Sequence, residues 1–212
     1  MKKLITLFTI LVTVTVTAQN FQLHRDLERG HFTTTFEMFK SDKYGNTFTF
    51  IDFDYNASVG TSFAYYEIAR VLKTEKMPVG AHIEYNGGHG NAFSLNEAWI
   101  FGANYGKGNA KWGFSTYAGY KAFTGAGEGN FQVTATWYWN IIADKLTCSG
   151  FADYWTQKGL FFDGNVFLAE PQLWYHLNKS FSIGGELEIS SNFGVANDAI
   201  KGRPTLAIKW NL

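Results

Sequence analysis

The chain ends Arg-Pro-Thr-Leu-Ala-Ile-Lys-Trp-Asn-Leu (203–212), and here Leu206, Ile208, Trp210 and Leu212 alternate with Thr205, Ala207, Lys209 and Asn211. Residues two apart share one face of an extended strand, so this segment has an apolar face and a polar face. Such a strand at a chain end is an aggregation hazard in water, because it offers an unpaired backbone edge and an apolar surface together. The hazard disappears if the strand closes a barrel and its apolar face meets lipid.

The other end of the chain supplies a route to lipid. Lys2 and Lys3 precede an almost continuously apolar run, 4–12, and Val16-Thr17-Ala18 fits the small-x-small rule for signal-peptide cleavage. The expected organisation is a signal peptide over 1–18 and a barrel over 19–212. The apolar run falls short of the roughly 20 residues of a membrane-spanning helix; a buried N-terminal strand is the alternative. No Cys follows the cut, which argues against a lipid-anchored N-terminus.

Residues 19–212 hold no apolar stretch long enough for a membrane helix. The chain is instead rich in rings and glycine, with 22 Gly, 20 Phe, 11 Tyr and 7 Trp against 3 Pro. Its 18 basic and 18 acidic residues leave no electrostatic footprint for nucleic acid. A lone Cys148 excludes an internal disulfide and a Cys-based zinc site, and no cofactor is implied.

Twelve strands can be read, at 20–27, 31–40, 46–55, 62–72, 79–86, 94–105, 110–121, 130–141, 145–156, 165–177, 181–191 and 203–212. About ten residues tilted near 40° cross the ~25 Å apolar band of an outer-membrane barrel, and such barrels have even strand numbers. With both termini on the periplasmic side, the inner connections are 41–45, 73–78, 106–109, 142–144 and 178–180. The outer ones after the first are 56–61, 87–93, 122–129, 157–164 and 192–202. Short periplasmic turns and longer external loops are the asymmetry of this class. The first strand is the weakest, because it carries Arg25 and Asp26.

Several strands alternate cleanly. Phe131, Val133, Ala135, Trp137 and Trp139 oppose Gln132, Thr134, Thr136, Tyr138 and Asn140; Phe181, Ile183, Gly185, Leu187 and Ile189 oppose Ser182, Gly184, Glu186, Glu188 and Ser190. Phe167, Ala169, Leu173 and Tyr175 oppose Glu170, Gln172 and His176, with Pro171 on the apolar side marking a bulge or local break. The facing of 62–72 and 94–105 is open. Outward rings fall at strand ends: Trp112, Trp139, Tyr175, Phe181 and Trp210 at the inner boundary, Tyr120, Phe131, Tyr154 and Phe167 at the outer. Two aromatic belts suit a bilayer's two interfaces. A soluble lipocalin-like barrel would invert this facing, and periodicity alone does not separate the two.

With apolar residues outward, the polar faces line a lumen. Its expected residues are Glu37, Asp52, Asp54, Glu67, His82, Glu84, Asp153, Glu170, Glu186, Glu188 and Lys209, joined by the rings of Phe39, Phe48, Phe50, Phe151, Trp155 and Trp174. Rings that stack beside carboxylates that accept from hydroxyls or amines would suit a flat heterocycle on a sugar. The plainer reading is that the rings fill a narrow lumen and the acids pair with Lys121, Arg70 or Lys209.

The segment Lys43-Tyr44-Gly45-Asn46 followed by Thr47-Phe48-Thr49-Phe50-Ile51-Asp52-Phe53-Asp54-Tyr55 resembles the Tsx-like, nucleoside-specific channel-forming outer-membrane proteins. That family has an aromatic-Gly-polar turn and then a Phe-rich strand ending in Asp-x-Asp. FEMFK, YYEIAR, HIEYNGG, SGFADYW and EPQLWYHLNK resemble a Bacteroidetes-type branch of the same superfamily, so the likeness spans the mature chain. It implies a monomeric twelve-stranded outer-membrane barrel with a narrow channel admitting nucleosides, and Phe48, Phe50, Asp52 and Asp54 on its lumen side. Tyr44 and Asn46 replace the commoner Trp and Asp around Gly45, and Leu212 stands where such barrels usually end in Phe.

An enzyme is not expected. The histidines His24, His31, His82, His89 and His176 are scattered, and no HExxH, GxSxG or P-loop is present. The glycines of 87–93 read as a flexible outer loop rather than a phosphate cradle. An outer-membrane phospholipase would need Ser and His together on the lipid-facing wall, and Cys148 reads outward as a small apolar residue. The expected function is therefore passive passage of small hydrophilic solutes, nucleosides foremost, with neutral or cationic solutes favoured over anions. Its partners are outer-membrane lipid, the solute, and the barrel-assembly machinery through the C-terminal strand. The alternatives are a closed structural barrel and a secreted ligand-binding barrel.

Overall fold

The computed structural model describes residues 17–74, 76–160 and 162–212. The strands are β1 (Thr17–Asp26), β2 (Phe32–Asp42), β3 (Gly45–Asn56), β4 (Gly60–Leu72), β5 (Gly80–Gly90), β6 (Ala98–Gly108), β7 (Trp112–Phe123), β8 (Asn130–Ile142), β9 (Leu146–Gln157), β10 (Gly164–His176), β11 (Phe181–Ser191) and β12 (Lys201–Asn211). Each pairs antiparallel with its sequence neighbours, and β12 pairs with β1 to close a barrel. Closure satisfies the backbone edge that made the C-terminal strand a liability: Asn20 faces Asn211 and Asp26 faces Thr205 across the seam. No described helix is long and apolar enough to cross a membrane.

Of the expected signal peptide, residues 1–16 lie outside the described residues. Thr17 and Ala18 open β1, opposite Lys40 and Phe39.

Alternation sets the two faces. In β1, Asn20, Gln22, His24 and Asp26 are buried, while Phe21 and Leu23 are exposed. The paired registers carry this division round the barrel, from Gln22–Thr35 to Thr35–Asp52 to Asp52–Tyr65. The outer face is apolar around the whole circumference, with Ile68, Trp99, Phe101, Leu173, Ile183, Leu206 and Ile208 among its exposed residues. The outward rings form the two belts: Trp112, Trp139, Tyr175, Phe181 and Trp210 ring the end with residues 43–44, 109–111 and 143–145 (the turn end). Tyr120, Phe131, Tyr154 and Phe167 lie at the end with residues 91–97, 158–160, 162–163 and 192–200 (the loop end).

Two sequence expectations are corrected, and a third is narrowed to one of its two alternatives. Gly87, Gly88 and Gly90 are strand residues, not loop, and they move the start of the next strand from 94 to Ala98. They pair with Tyr66, Tyr65 and Phe63, and a Cβ on Gly88 would come within 2.8 Å of the Phe63 ring and 2.9 Å of the Ala64 carbonyl oxygen. Glycine here is a steric requirement of close packing rather than a mark of flexibility. Arg70 does not join the lumen acids: it points outward and pairs with Asp42, Nη1 to Oδ2 at 2.8 Å, because β4 is in phase with Phe63, Tyr65 and Glu67 inward. Pro171 causes a break without a bulge. Glu170 and Pro171 drop out of the β11 ladder while the register on either side is unchanged. The register shifts lie elsewhere, at Asp54/Tyr55 and Asn140/Ile142.

Candidate functional site

The lumen divides into two walls of different character. On β2 and β3, and at Phe63, Tyr65 and Glu67 of β4, the inward side chains are partly exposed to interior space. Phe48, Phe50, Asp52 and Asp54 alternate inward on β3, facing Phe39, Glu37, Thr35 and Thr33 on β2. Thr33 donates to Asp54 Oδ1 at 2.6 Å and Thr35 to Asp52 Oδ1 at 2.5 Å. Each carboxylate thus keeps one oxygen outside these bonds. The rings run in a file, with Phe48 and Phe50 5.9 Å apart and Phe50 and Tyr65 5.8 Å apart. Tyr65 was not foreseen, because its strand alternates too poorly to assign. It donates to Glu67 Oε1 at 2.5 Å.

The opposite wall, β5 to β9, is a buried hydrogen-bonded network. His82 Nε2 meets Glu84 Oε2 at 3.0 Å, and Tyr117 donates to the same oxygen at 2.7 Å. Asn86 donates to Glu84 Oε1 at 3.1 Å. Gln132 donates to Tyr117 and Thr134, both at 3.0 Å, and accepts from Lys121 Nζ at 2.6 Å; Thr134 donates to Asp153 at 2.6 Å. Lys121 also lies over the Trp155 and Phe123 rings, 4.5 and 4.8 Å from their centroids. His82 and Glu84 are 3% and 2% exposed. Most of these polar groups are satisfied by a neighbour, as burial demands, but His82 Nδ1 and Trp155 Nε1 are buried without a hydrogen-bond partner. Tyr117, Gln132 and Thr134 are carriers of this network that sequence reasoning did not single out as such.

A third cluster spans β10, β11, β12 and β1. Trp174, 1% exposed, donates to Gln172 at 2.9 Å, Gln172 donates to Glu186 at 3.1 Å, and Lys209 Nζ lies 4.0 Å over the Trp174 ring. His24 Nδ1 is 3.3 Å from Glu186 Oε1. Glu170, partly exposed, interacts electrostatically with Glu186, Asp52, Glu188 and Asp153, contributed by β11, β3 and β9. Closure therefore gathers carboxylates from well-separated parts of the chain into one acidic lumen. Glu188 lies at the loop end, paired with Arg203 and, at 3.0 Å, with Arg29.

On the β9–β10 side, the loop end of the lumen is apolar, which the polar faces of the sequence did not announce. Trp155, Val166 and Leu168 form a buried cluster with Phe123, Phe151 and Phe162 packed on it. Two loops add rings: Phe93 stacks on inward-facing Phe63 at 5.8 Å and 19°, and Phe193 meets Trp155 edge-on at 6.2 Å. Val166 and Leu168 alternate inward with Glu170, so the signal was present in the register of β10 but reads as a simple apolar start of a strand.

Cys148 is on the outer face, opposite Trp139. His89 and Ser94 do meet at the outer rim, Nδ1 to Oγ at 3.0 Å. The ion-paired histidines of the described residues, however, are His24, His31 and His82, so no carboxylate orients His89. No group of three metal-ligating side chains is assembled among the described residues.

The chain belongs to the family described as a domain of unknown function, DUF5020, whose model matches residues 18–212. No curated protein matches it in sequence. Among solved structures, the NanC porin is similar over 92% of this chain and 100% of that one, with a TM-score of 0.63 at 8% identity. The Acinetobacter baumannii outer membrane protein Omp33 covers 93% and 98%, with a TM-score of 0.45 at 12% identity. The outer-membrane expressed OmpT of Vibrio cholerae covers 92% and 96%, with a TM-score of 0.46 at 7% identity. The first of these likenesses establishes the fold: a closed barrel of porin type.

Proposed function

We propose that this member of the DUF5020 family is a monomeric outer-membrane channel for passive uptake of small hydrophilic solutes, with nucleosides as the solutes that fit it best. The observation that carries this reading is the pairing of an apolar, doubly ring-belted outer face with a partly open inner wall of rings and carboxylates. The outer face suits lipid, and every backbone edge is closed, as crossing a bilayer requires. On the inner wall, the Phe48–Phe50–Tyr65 file offers stacking surfaces for a base, and Asp52, Asp54, Glu37 and Glu170 offer acceptors for ribose hydroxyls or exocyclic amines. The acidic balance favours neutral and cationic solutes. The Tsx-like motif at 43–55 supports the same solute class. Secretion through residues 1–18 and delivery to the assembly machinery through β12 belong to this reading.

One observation favours a second reading, a closed barrel that does not transport: the packed network around Glu84 and Tyr117 and the loop rings Phe93 and Phe193 narrow the lumen. Membrane fractionation followed by liposome swelling with adenosine and with a sugar of equal size separates the two. Faster swelling with adenosine is expected. Equal rates would leave a general pore and remove the nucleoside assignment, and no swelling would establish the closed barrel.

A further inference from the structure

Outside the lumen, a cavity of about 600 Å³ opens beside residues 162–163 and 192–198. Its floor is the outward face of three paired strands, where Tyr154 on β9 pairs with Phe167 on β10 and Phe167 with Ser191 on β11. Polar groups form its rim: Asp163, Asn165, Asn192 and Asp198 all line it. Asp163 Oδ1 accepts from the Gly159 amide at 3.0 Å, and Asp198 Oδ1 accepts from Asn192 at 2.7 Å. Each carboxylate retains its second oxygen outside these bonds, and the Asn165 side chain has no hydrogen-bond partner among the described residues. No Lys or Arg lines the cavity.

Directly below, on the same outer face, the wall becomes a track of small residues. Ala152 pairs with Ala169, and Gly150 with Pro171. Ala169 is only 7% exposed although it faces outward, so it is sunk between its neighbours. Trp137 leans over Gly150, its Cζ2 3.0 Å from where a Cβ would stand. The cavity thus has an aromatic floor and a polar, acidic roof, and the small residues of β9 and β10 lie below it on the same outward face.

We propose that this crevice binds a glycolipid, with the sugar headgroup in the cavity and an acyl chain along the Ala152–Ala169–Gly150 track. Sugar hydroxyls donate to the free carboxylate oxygens and accept from the asparagine amides, while the Tyr154 and Phe167 rings pack against the apolar face of a pyranose. A phosphate headgroup meets two carboxylates and no cation, so like charge excludes it. The inference rests on the bilayer placement proposed above, because only there does the track meet acyl chains.

The test uses the full chain in detergent micelles, with native mass spectrometry of added lipids. The probes are monoglucosyl-diacylglycerol, phosphatidylglycerol of the same acyl chains, and methyl β-D-glucopyranoside. The glucolipid is expected to be retained about tenfold more tightly than phosphatidylglycerol, the scale of one or two hydrogen bonds plus a like-charge contact. Asp163→Lys with Asp198→Lys should reverse that order, and Ala169→Phe should weaken the glucolipid while leaving the monosaccharide unchanged. Equal retention of the two lipids, or a preference for phosphatidylglycerol, overturns the proposal. Methyl glucoside binding as tightly as the glucolipid overturns the acyl-chain part and leaves a site for free saccharide. Flotation of the same protein with liposomes reports on bilayer placement separately: protein that floats without lipid preference refutes this inference alone, and protein that does not float refutes both.

Discussion

The ring of Tyr117 stacks on that of His82, their centroids 3.7 Å apart and their planes 16° from parallel, although their strands β7 and β5 are separated by β6. The intervening strand permits this because the inward position opposite His82 is Gly102, itself opposite Gly119. The stack brings the Tyr117 hydroxyl to Glu84 at 2.7 Å. Two strands that are not neighbours are thereby tied inside the lumen.

Tyr117→Phe should reveal the worth of that tie. It removes a donor from the buried Glu84 and an acceptor from Gln132, and should cost about 1–3 kcal/mol, the usual penalty for stranding a buried polar group. Tyr120→Phe on the outer face should cost almost nothing. Urea midpoints in detergent compare the two, and equal midpoints would show that the network contributes no stability.

Gly102→Ala should be more damaging than its small volume suggests. An added Cβ would stand 2.1 Å from the Ala118 carbonyl oxygen and 2.7 Å from Gly119 Cα, both backbone atoms. The strands must separate to admit it. The folded fraction, read from the heat-dependent shift in gel mobility, should fall well below that of Ala103→Ser on the outer face.

Leu206→Arg tests which solvent the outer face meets. Leu206 is 64% exposed on that face. In a bilayer an arginine there should cost about 2–4 kcal/mol, whereas on a water-exposed wall it should be close to neutral. Folding into liposomes at graded urea concentrations gives the difference, and a neutral result would favour the soluble barrel.

Asp52→Asn with Asp54→Asn should reduce any preference for cations by roughly two- to threefold, by removing two of the lumen's charges from its open wall. Asp42→Asn, outside the lumen, is the control. Reversal potentials in a salt gradient measure the change, and identical potentials for all three proteins would remove these residues from the permeation path.

Phe93→Ala with Phe193→Ala should raise single-channel conductance, because both loop rings lie on inward-facing rings at the loop end. Unchanged conductance would place the constriction deeper, at the Glu84–Tyr117 network.

How much of this was legible depended on how each face announced itself. The inward positions of Glu170 and Glu186 were readable because polar and apolar side chains alternate along β10 and β11, whereas those of Phe48, Phe50, Asp52 and Asp54 came from the Asp-x-Asp motif, since β3 sets Thr47 and Thr49 on its outward face. Tyr65 and Ile100 were harder, since in β4 and β6 rings and aliphatic groups occupy both faces and periodicity carries little contrast. Arg70 misled for the same reason. The glycines of 87–90 read as a loop because sequence shows their freedom but not the Phe63 and Tyr66 rings that require their smallness.

Strand number, antiparallel order and the division into two faces follow from the chain itself, because alternation is a local property of an extended backbone. Whether an inward residue is filler, a network member or an open wall is not local. It depends on which side chains closure brings across the lumen: Glu170 toward Asp52, Tyr117 over Gly102 onto His82, Phe193 onto Trp155. Those encounters are set by shear and register around the ring, and only the assembled barrel determines them.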